Sequence, residues 1–324
     1  MKFGVSGCAG GFEAKDAGDV LALAELAEQL RYDGIWIYEE HFRHQDGLRR
    51  CLSPITLATA IAGRTKRIRV GFSALLLPLY IPLRLAEEIA TLDVLSDGRV
   101  DFGISKGRSP RYYEAYGVEV DVPAGAFREE LRFIVKCWAD GETTIRGKKY
   151  AVEPKPVQRP HPPVYIATYT PGTARWAARS EHAIIQHGIQ SRESLKRMIG
   201  AFESAGGDPG RVPVNRFVYV GRDDRSARRA VWPVICRLAQ FLHGIGIYRH
   251  GIVPEKTLLD PDTFYEEMLV AGGPRTCVEK LRELRGDLGV DYVNCLASFY
   301  GYERPGAMVR SLRTLSADVM PAMA

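Results

Sequence analysis

Four short stretches of the chain gather residue types that could do chemistry. Tyr38-Glu39-Glu40-His41-Phe42 sets two carboxylates and an imidazole between aromatic residues, a group able to relay a proton beside a planar ligand. The same residues would equally make a solvated loop with a structural ion pair. Phe72-Ser73-Ala74-Leu75-Leu76-Leu77-Pro78 is almost unbroken apolar sequence, suited to the face of a flat aromatic cofactor or to plain core. Gly103-Ile104-Ser105-Lys106-Gly107-Arg108-Ser109 places two cations among small residues, lysine offering a point charge to an anion and arginine a forked donor. Thr168-Tyr169-Thr170-Pro171-Gly172-Thr173 adds hydroxyls to the free N–H groups that open a helix, a natural seat for phosphate. A single phosphorylated planar ligand accounts for both anion seats.

Such stretches form one site only if the fold brings them together. Strand-like segments at 2–6, 34–37, 67–73, 99–104, 164–168, 183–186, 212–220 and 291–296 alternate with helical patterns. In the first helix, 16–31, Val20, Leu23, Ala24, Ala27 and Leu30 recur at three- and four-residue spacing, and the second opens with Ser53 as N-cap before Pro54. Residues 143–150 read as an exposed excursion. The Gly/Pro-punctuated stretch 244–261 fits no regular element and reads as an insertion over the pocket, carrying His243, Tyr248, Arg249 and His250. Eight strands, each followed by a helix, predict an α/β fold with one domain over 1–324, a single (β/α)8 TIM barrel. An open doubly wound sheet would carry a phosphate loop that Gly7-Cys8-Ala9-Gly10-Gly11 does not spell. In a barrel, function sits at the C-terminal ends of the strands, where all four stretches fall.

Composition narrows the partners. Lys and Arg total 44 against 39 Asp and Glu, and the net charge of +5 is spread along the chain, which argues against nucleic acid and anionic membranes. The longest nearly apolar run, 74–83, is broken by Pro78 and Pro82 and is far shorter than the ~20 residues a membrane span needs. Cysteines 8, 51, 137, 236, 277 and 295 form no C-x-x-C pair and have no histidine at zinc-ligand spacing, so neither a metal site nor a disulfide framework is signalled. The reading is a cytoplasmic protein with reduced thiols and a mature N-terminus.

Val70-Gly71-Phe72-Ser73-Ala74-Leu75-Leu76-Leu77-Pro78, continued by Pro82-Leu83-Arg84-Leu85-Ala86-Glu87-Glu88 and by Leu92-Asp93-Val94-Leu95-Ser96-Asp97-Gly98-Arg99-Val100, resembles the signature of the bacterial luciferase-like flavin monooxygenases. Trp36 with Glu40-His41-Phe42, Gly107-Arg108 with Tyr112-Tyr113-Glu114-Ala115-Tyr116-Gly117, Pro163-Val164-Tyr165-Ile166 and Asp318-Val319-Met320-Pro321 are similar in the same order. The resemblance implies a barrel that binds FMN, as reduced FMN, and uses dioxygen to oxygenate a small organic substrate. It implies a cis Ser73–Ala74 peptide behind the flavin ring next to Phe72, with Lys106 and Arg108 near the flavin and its phosphate. Thr170, followed by Pro171 and Gly172 and preceded by Tyr169, matches the phosphate-binding position. Where relatives carry an acid/base histidine this chain has Glu40, with His41 as the next candidate. The resemblance further implies a separate NAD(P)H-dependent flavin reductase and a homodimer paired through early helices, on one of which lie Glu87 and Asp93. Two other classes stay open: deazaflavin-dependent hydride transfer, and a non-catalytic flavin-binding barrel.

Overall fold

A computed structural model describes residues 1–6, 17–42, 52–107, 109–119, 123–139, 141–299 and 305–324. In chain order it begins with β1 (Lys2–Ser6), α1 (Ala17–Gln29), β2 (Gly34–Ile37), α2 (Pro54–Arg64), β3 (Arg69–Phe72), β4 (Leu75–Leu76), α3 (Pro82–Ser96) and β5 (Val100–Ser105). Next come α4 (Pro110–Tyr116), α5 (Ala124–Trp138), the antiparallel pair β6 (Thr143–Ile145) and β7 (Lys148–Tyr150), β8 (Val164–Ala167), α6 (Pro171–Arg179), β9 (Ala183–Ile185) and α7 (Arg192–Glu203). The chain continues through β10 (Pro213–Val220), α8 (Asp224–Gly244), α9 (Glu255–Leu259), α10 (Pro261–Met268), β11 (Leu269–Gly272), α11 (Pro274–Leu288), β12 (Tyr292–Leu296) and α12 (Pro305–Thr314).

Proline fixes many of these starts. Pro54, Pro82, Pro110, Pro171, Pro261, Pro274 and Pro305 each open a helix, where a missing N–H costs no hydrogen bond and the ring pre-sets φ. The strands form a curled sheet in the order β11-β10-β12-β1-β2-β3-β5-β8-β9, and all of its pairings are parallel. A parallel bridge from Gln186 to Val214 links the residue after β9 back to β10. Every strand that the sequence pattern places is present. β11 and the helices α9 and α10 are additions to that reading, and 244–261 is therefore not irregular: it holds a 3-10 turn, Ile247–His250, and α9. Gly and Pro punctuate short elements there instead of replacing them.

Helices bury one face against the sheet. In α3, Leu85, Ile89 and Leu92 point inward, and so does Asp93, which is fully buried. Its carboxylate accepts from the Gln158 backbone N–H at 2.9 Å and from the Gln158 amide at 2.7 Å, tying the proline-rich 154–163 stretch to α3. Asp93 therefore does not lie on the outer face expected for subunit pairing; Val94 and Leu95 are the exposed apolar residues there. Trp36, also fully buried, packs its edge against Tyr165 at 5.2 Å between centroids and donates to the Tyr292 hydroxyl at 2.9 Å. No helix among the described residues is long and apolar enough to cross a membrane.

His182, after α6, packs against Trp176 and His161. Burial, with the His161 ring beside it, pushes its pKa down to about 4. The unfolded chain takes up this proton near the ordinary histidine value of ~6.5, so stability present above that pH is lost as pH falls toward 4. The melting temperature is expected to drop less between pH 6.5 and pH 4 in His182→Gln than in the parent, measured by circular dichroism across that window; parallel profiles would show that another group carries the slope.

Candidate active site

The C-terminal ends of the strands meet around one buried carboxylate. Ser73 N–H donates to the Ile37 carbonyl at 2.7 Å, carrying the β2–β3 contact past both strands and bringing 73–80 beside 38–41. Glu39 is buried there and accepts three hydrogen bonds: from Leu76 N–H at 2.6 Å, from the Tyr80 hydroxyl at 2.8 Å and from His41 Nε2 at 2.9 Å. Burial and the Glu39 charge push the Tyr80 phenol far above its usual range, so it keeps its proton and donates. His41 Nδ1 lies 2.9 Å from the Tyr116 hydroxyl, and the ring packs on Tyr112 and Tyr116. A proton on Nε2 satisfies Glu39 and leaves Nδ1 to accept from Tyr116. The structural pairing within the motif is thus the Glu39–His41 hydrogen bond. Glu40, next along, turns to a cavity of about 790 Å3 that His41 does not line.

Alternation along β3 and β4 splits the apolar stretch between two environments. Phe72, Leu75 and Leu77 are fully buried in the core, and Ser73, Ala74 and Leu76 face the cavity. The expected continuous wall from 72 to 77 is therefore half wall and half core, and Phe72 sits behind the site. The Ser73–Ala74 peptide is cis, and Ser73 Oγ accepts from Asn215 Nδ2 of β10 at 3.2 Å. Close approach of the strands requires Gly103 in β5, where a Cβ would lie 1.6 Å from the Phe72 carbonyl oxygen. Beyond β5, Lys106 and Gly107 line the cavity. Gly107 adopts φ 80°, and the Tyr113 hydroxyl donates to the Lys106 carbonyl. Arg108, the second cation of this motif, lies outside the described residues.

Beyond β8 the chain presents hydroxyls. Thr170 is the residue before α6, with Pro171 and Gly172 in the first turn; its hydroxyl donates to Thr173 Oγ1 at 2.8 Å and lies 3.2 Å from Thr168 Oγ1. Thr168, Tyr169, Thr170 and Thr173 all line the cavity, as does Lys106. So does Arg128 of α5, its guanidinium stacked 4.8 Å above the Trp176 ring. The opposite wall is apolar: Phe241 and Leu242 of α8, then Ile245, Ile247 and Ile252 with His250. That wall is held from outside, where His243 pairs with Glu255 at 3.0 Å and stacks on Tyr248, while Ser191 N–H donates to the Ile252 carbonyl.

Arg128, Asn215 and His187 line the cavity and were not singled out by the motifs. Arg128 follows Phe127 on a helix that reads as ordinary amphipathic sequence, and His187 follows a short strand. A signal did exist for Asn215: it is an amide inside the otherwise mostly apolar strand Pro213–Val220.

A larger hollow, about 970 Å3, opens at the N-terminal ends of the strands and is lined by Lys2, Glu28, Arg69, Asp101, Tyr165 and Tyr292 among others. Its carboxylates are already committed: Asp101 takes a forked pair of bonds from Arg69 at 2.8 and 2.9 Å, Asp33 accepts from Phe3 N–H, and Glu28 accepts from three successive backbone N–H groups. Arg69 and the three carboxylates of this end are thus engaged within the chain.

The family model for luciferase-like monooxygenases matches residues 1–292, and the chain belongs to that family. The alkanal monooxygenase alpha chain of Photorhabdus luminescens is 24% identical over 93% of this chain and 91% of its own. An F420-dependent glucose-6-phosphate dehydrogenase of Amycolatopsis mediterranei is 32% identical over 52% of each. Among solved structures, monooxygenase RslO1 from Streptomyces bottropensis superposes over the whole of both chains with a TM-score of 0.82 and 25% identity. The FMN complex of the oxygenating constituent of 3,6-diketocamphane monooxygenase from Pseudomonas putida gives 0.82 at 20% identity over 99% of this chain and 98% of that one. Members of the family are monooxygenases or oxidoreductases, and they use flavins or F420.

Removing the Glu39 carboxylate strands the Leu76 N–H and the Tyr80 hydroxyl and frees the His41 ring. Glu39→Ala is expected to cost at least about 2 kcal/mol of unfolding free energy in urea, since hydrogen bonds to a buried charge are worth roughly 1.5–3 kcal/mol each. A change below about 0.5 kcal/mol would show that the node does not hold the 73–80 segment.

Proposed function

We propose that the protein is an FMN-dependent monooxygenase that uses reduced FMN and dioxygen to oxygenate a small organic substrate. One observation carries the reading: Lys106, Arg128, Thr170 and Thr173 stand around the same cavity as the Ser73–Ala74 wall and Glu40. The residues present fit the cofactor. Cations and hydroxyls beside the first turn of α6 suit a dianionic phosphate. Ser73, Ala74, Leu76 and Ala167 leave a low, uncharged surface for a ring, and the volume lies within the range of cofactor sites. We take the sheet's circuit, with the Gln186–Val214 bridge, to be that of one (β/α)8 barrel spanning 1–324, its 244–261 segment covering the mouth.

Reduced FMN, when bound, supplies the two electrons with which dioxygen yields one oxygen atom to the substrate and one to water. The chain's own part is positional. Lys106 and Thr170 hold the charged tail, Phe241, Leu242 and Ile247 keep water from the reacting end, and Glu40 exchanges a proton there. We further propose supply of reduced flavin by a separate NAD(P)H-dependent reductase, work in the cytoplasm, and homodimer formation over the exposed Val94 and Leu95 of α3. Hydride transfer from a deazaflavin is the second reading, favoured by the likeness to the F420-dependent dehydrogenase.

The activity test supplies reduced FMN and labelled dioxygen with a metabolite extract and searches by mass spectrometry for a product that gains one labelled oxygen. Labelled product formed only with the protein supports the reading, and none under flavin turnover opposes it. Lys106→Ala and Thr170→Ala should each weaken FMN by about 1.5–3 kcal/mol in fluorescence titration, the range for a hydrogen bond to a charged group. Riboflavin, which lacks the phosphate, should bind Thr170→Ala as it binds the parent; equal FMN affinity in both variants would move the phosphate elsewhere. Glu40→Gln keeps the shape and removes the exchangeable proton, so turnover should fall roughly 10²-fold with FMN affinity intact. Near-parental turnover would take Glu40 out of the mechanism.

A further inference from the structure

Two buried amides face each other in register across β10 and β12, Asn215 opposite Asn294. Asn294 is fully buried, and neither its Oδ1 nor its Nδ2 has a hydrogen-bond partner. Asn215 is 96% buried by its 4% exposure and differs in two respects. Its Nδ2 is committed to Ser73 Oγ at 3.2 Å, and it lines the cavity, which Asn294 does not. That leaves the Asn215 Oδ1 as a buried acceptor with no partner among the described residues, next to the Ser73–Ala74 wall.

A buried amide oxygen left without a donor costs free energy that an apolar residue would not incur. The neighbouring strand positions show that apolar residues fit: Val214 and Phe217 are fully buried. An acceptor held at the cavity by its own amide nitrogen is arranged for a donor that arrives with a ligand. Lys106 and Arg128, the cations that line the cavity among the described residues, are assigned above to the phosphate, which leaves the acceptor to a neutral donor of the ligand. An N–H on the edge of a planar ring suits it well.

We infer that Asn215 is a cofactor-binding residue whose Oδ1 accepts a hydrogen bond from a ring N–H of the bound flavin. This rests on reading the cavity as a flavin site. Ser73 acts through Asn215 as a positioning residue, its hydroxyl holding the amide beside the cavity wall at 3.2 Å. The interaction is with the ring and not with the phosphate, so it should be felt equally by FMN and by riboflavin, in contrast to Thr170.

The test titrates the full-length protein anaerobically with FMN and with riboflavin, each oxidised and reduced, for the parent, Asn215→Ala and Asn294→Ala. Asn215→Ala is expected to lose about tenfold in affinity for both ligands in at least one redox state, the size of one hydrogen bond to a neutral ring. Asn294→Ala, which empties a neighbouring buried position that does not touch the cavity, should stay within threefold. Riboflavin affinity of Asn215→Ala within threefold of the parent in both redox states would overturn the assignment, as would an equal loss in both variants, the mark of a general disturbance of the strands. Should Asn215→Ala not fold, Asn215→Ser carries the same criteria. Failure of the parent to bind either flavin would instead overturn the flavin reading itself.

Discussion

The Glu39 carboxylate is the constraint on which the site's shape depends. A buried carboxylate is tolerable only when its lone pairs are filled, and here three donors from two stretches of the chain fill them: a backbone N–H of the 73–80 segment, the phenol that closes that segment, and the imidazole two residues on. The arrangement locks the end of β2 to the stretch beyond β3. With both fixed, the Ser73–Ala74 peptide and Glu40 take up their places on the cavity wall. His41 is drawn away from the cavity into contact with Tyr112 and Tyr116 by the same bond that satisfies Glu39. Two adjacent glutamates thus differ in their bonding: Glu39, though it borders the cavity, is held by three donors as a structural anchor, and Glu40 lines the cavity beside it.

The cavity is divided by chemistry. Its cations and hydroxyls come from the segments after β5 and β8 and from the start of α5. Its apolar side comes from the end of α8 and the turn that follows, held from outside by His243, Glu255 and Tyr248. A phosphorylated cofactor and a less polar co-reactant can therefore lie in one chamber without competing for the same contacts. Asn215 lines the same cavity, and its Oδ1 is one of the few buried side-chain atoms among the described residues that the protein itself does not partner.

Much of this was legible in the sequence, for identifiable reasons. Proline at the first helical position marked the start of α2, apolar spacing marked α1, and β-branched runs between turn signals marked strands, while Lys106, Thr170, Ser73 and Glu40 stood out by their positions just past strand ends. Legibility failed where the answer depended on which way a residue faces. Nothing local tells Phe72 and Leu75 from Ala74 and Leu76 until the pleat and the cis peptide set the alternation. Asp93 looks like surface on a helix full of charge, yet Gln158, 65 residues on, fills its carboxylate and buries it. Short elements were hidden too: α9 spans five residues, below the length at which helical periodicity shows, and its neighbourhood of glycines and prolines resembles a loop. Arg128 joins the site from another helix, through a stacking contact with Trp176 that no spacing encodes.

We propose that the cavity at the strand ends is built to hold reduced FMN. The most direct measurement is an anaerobic equilibrium titration of the protein with reduced FMN beside reduced F420, followed through ligand fluorescence. The account predicts saturable binding of one FMN per chain, tighter than F420. Tighter binding of F420, or the absence of saturable FMN binding, would contradict it.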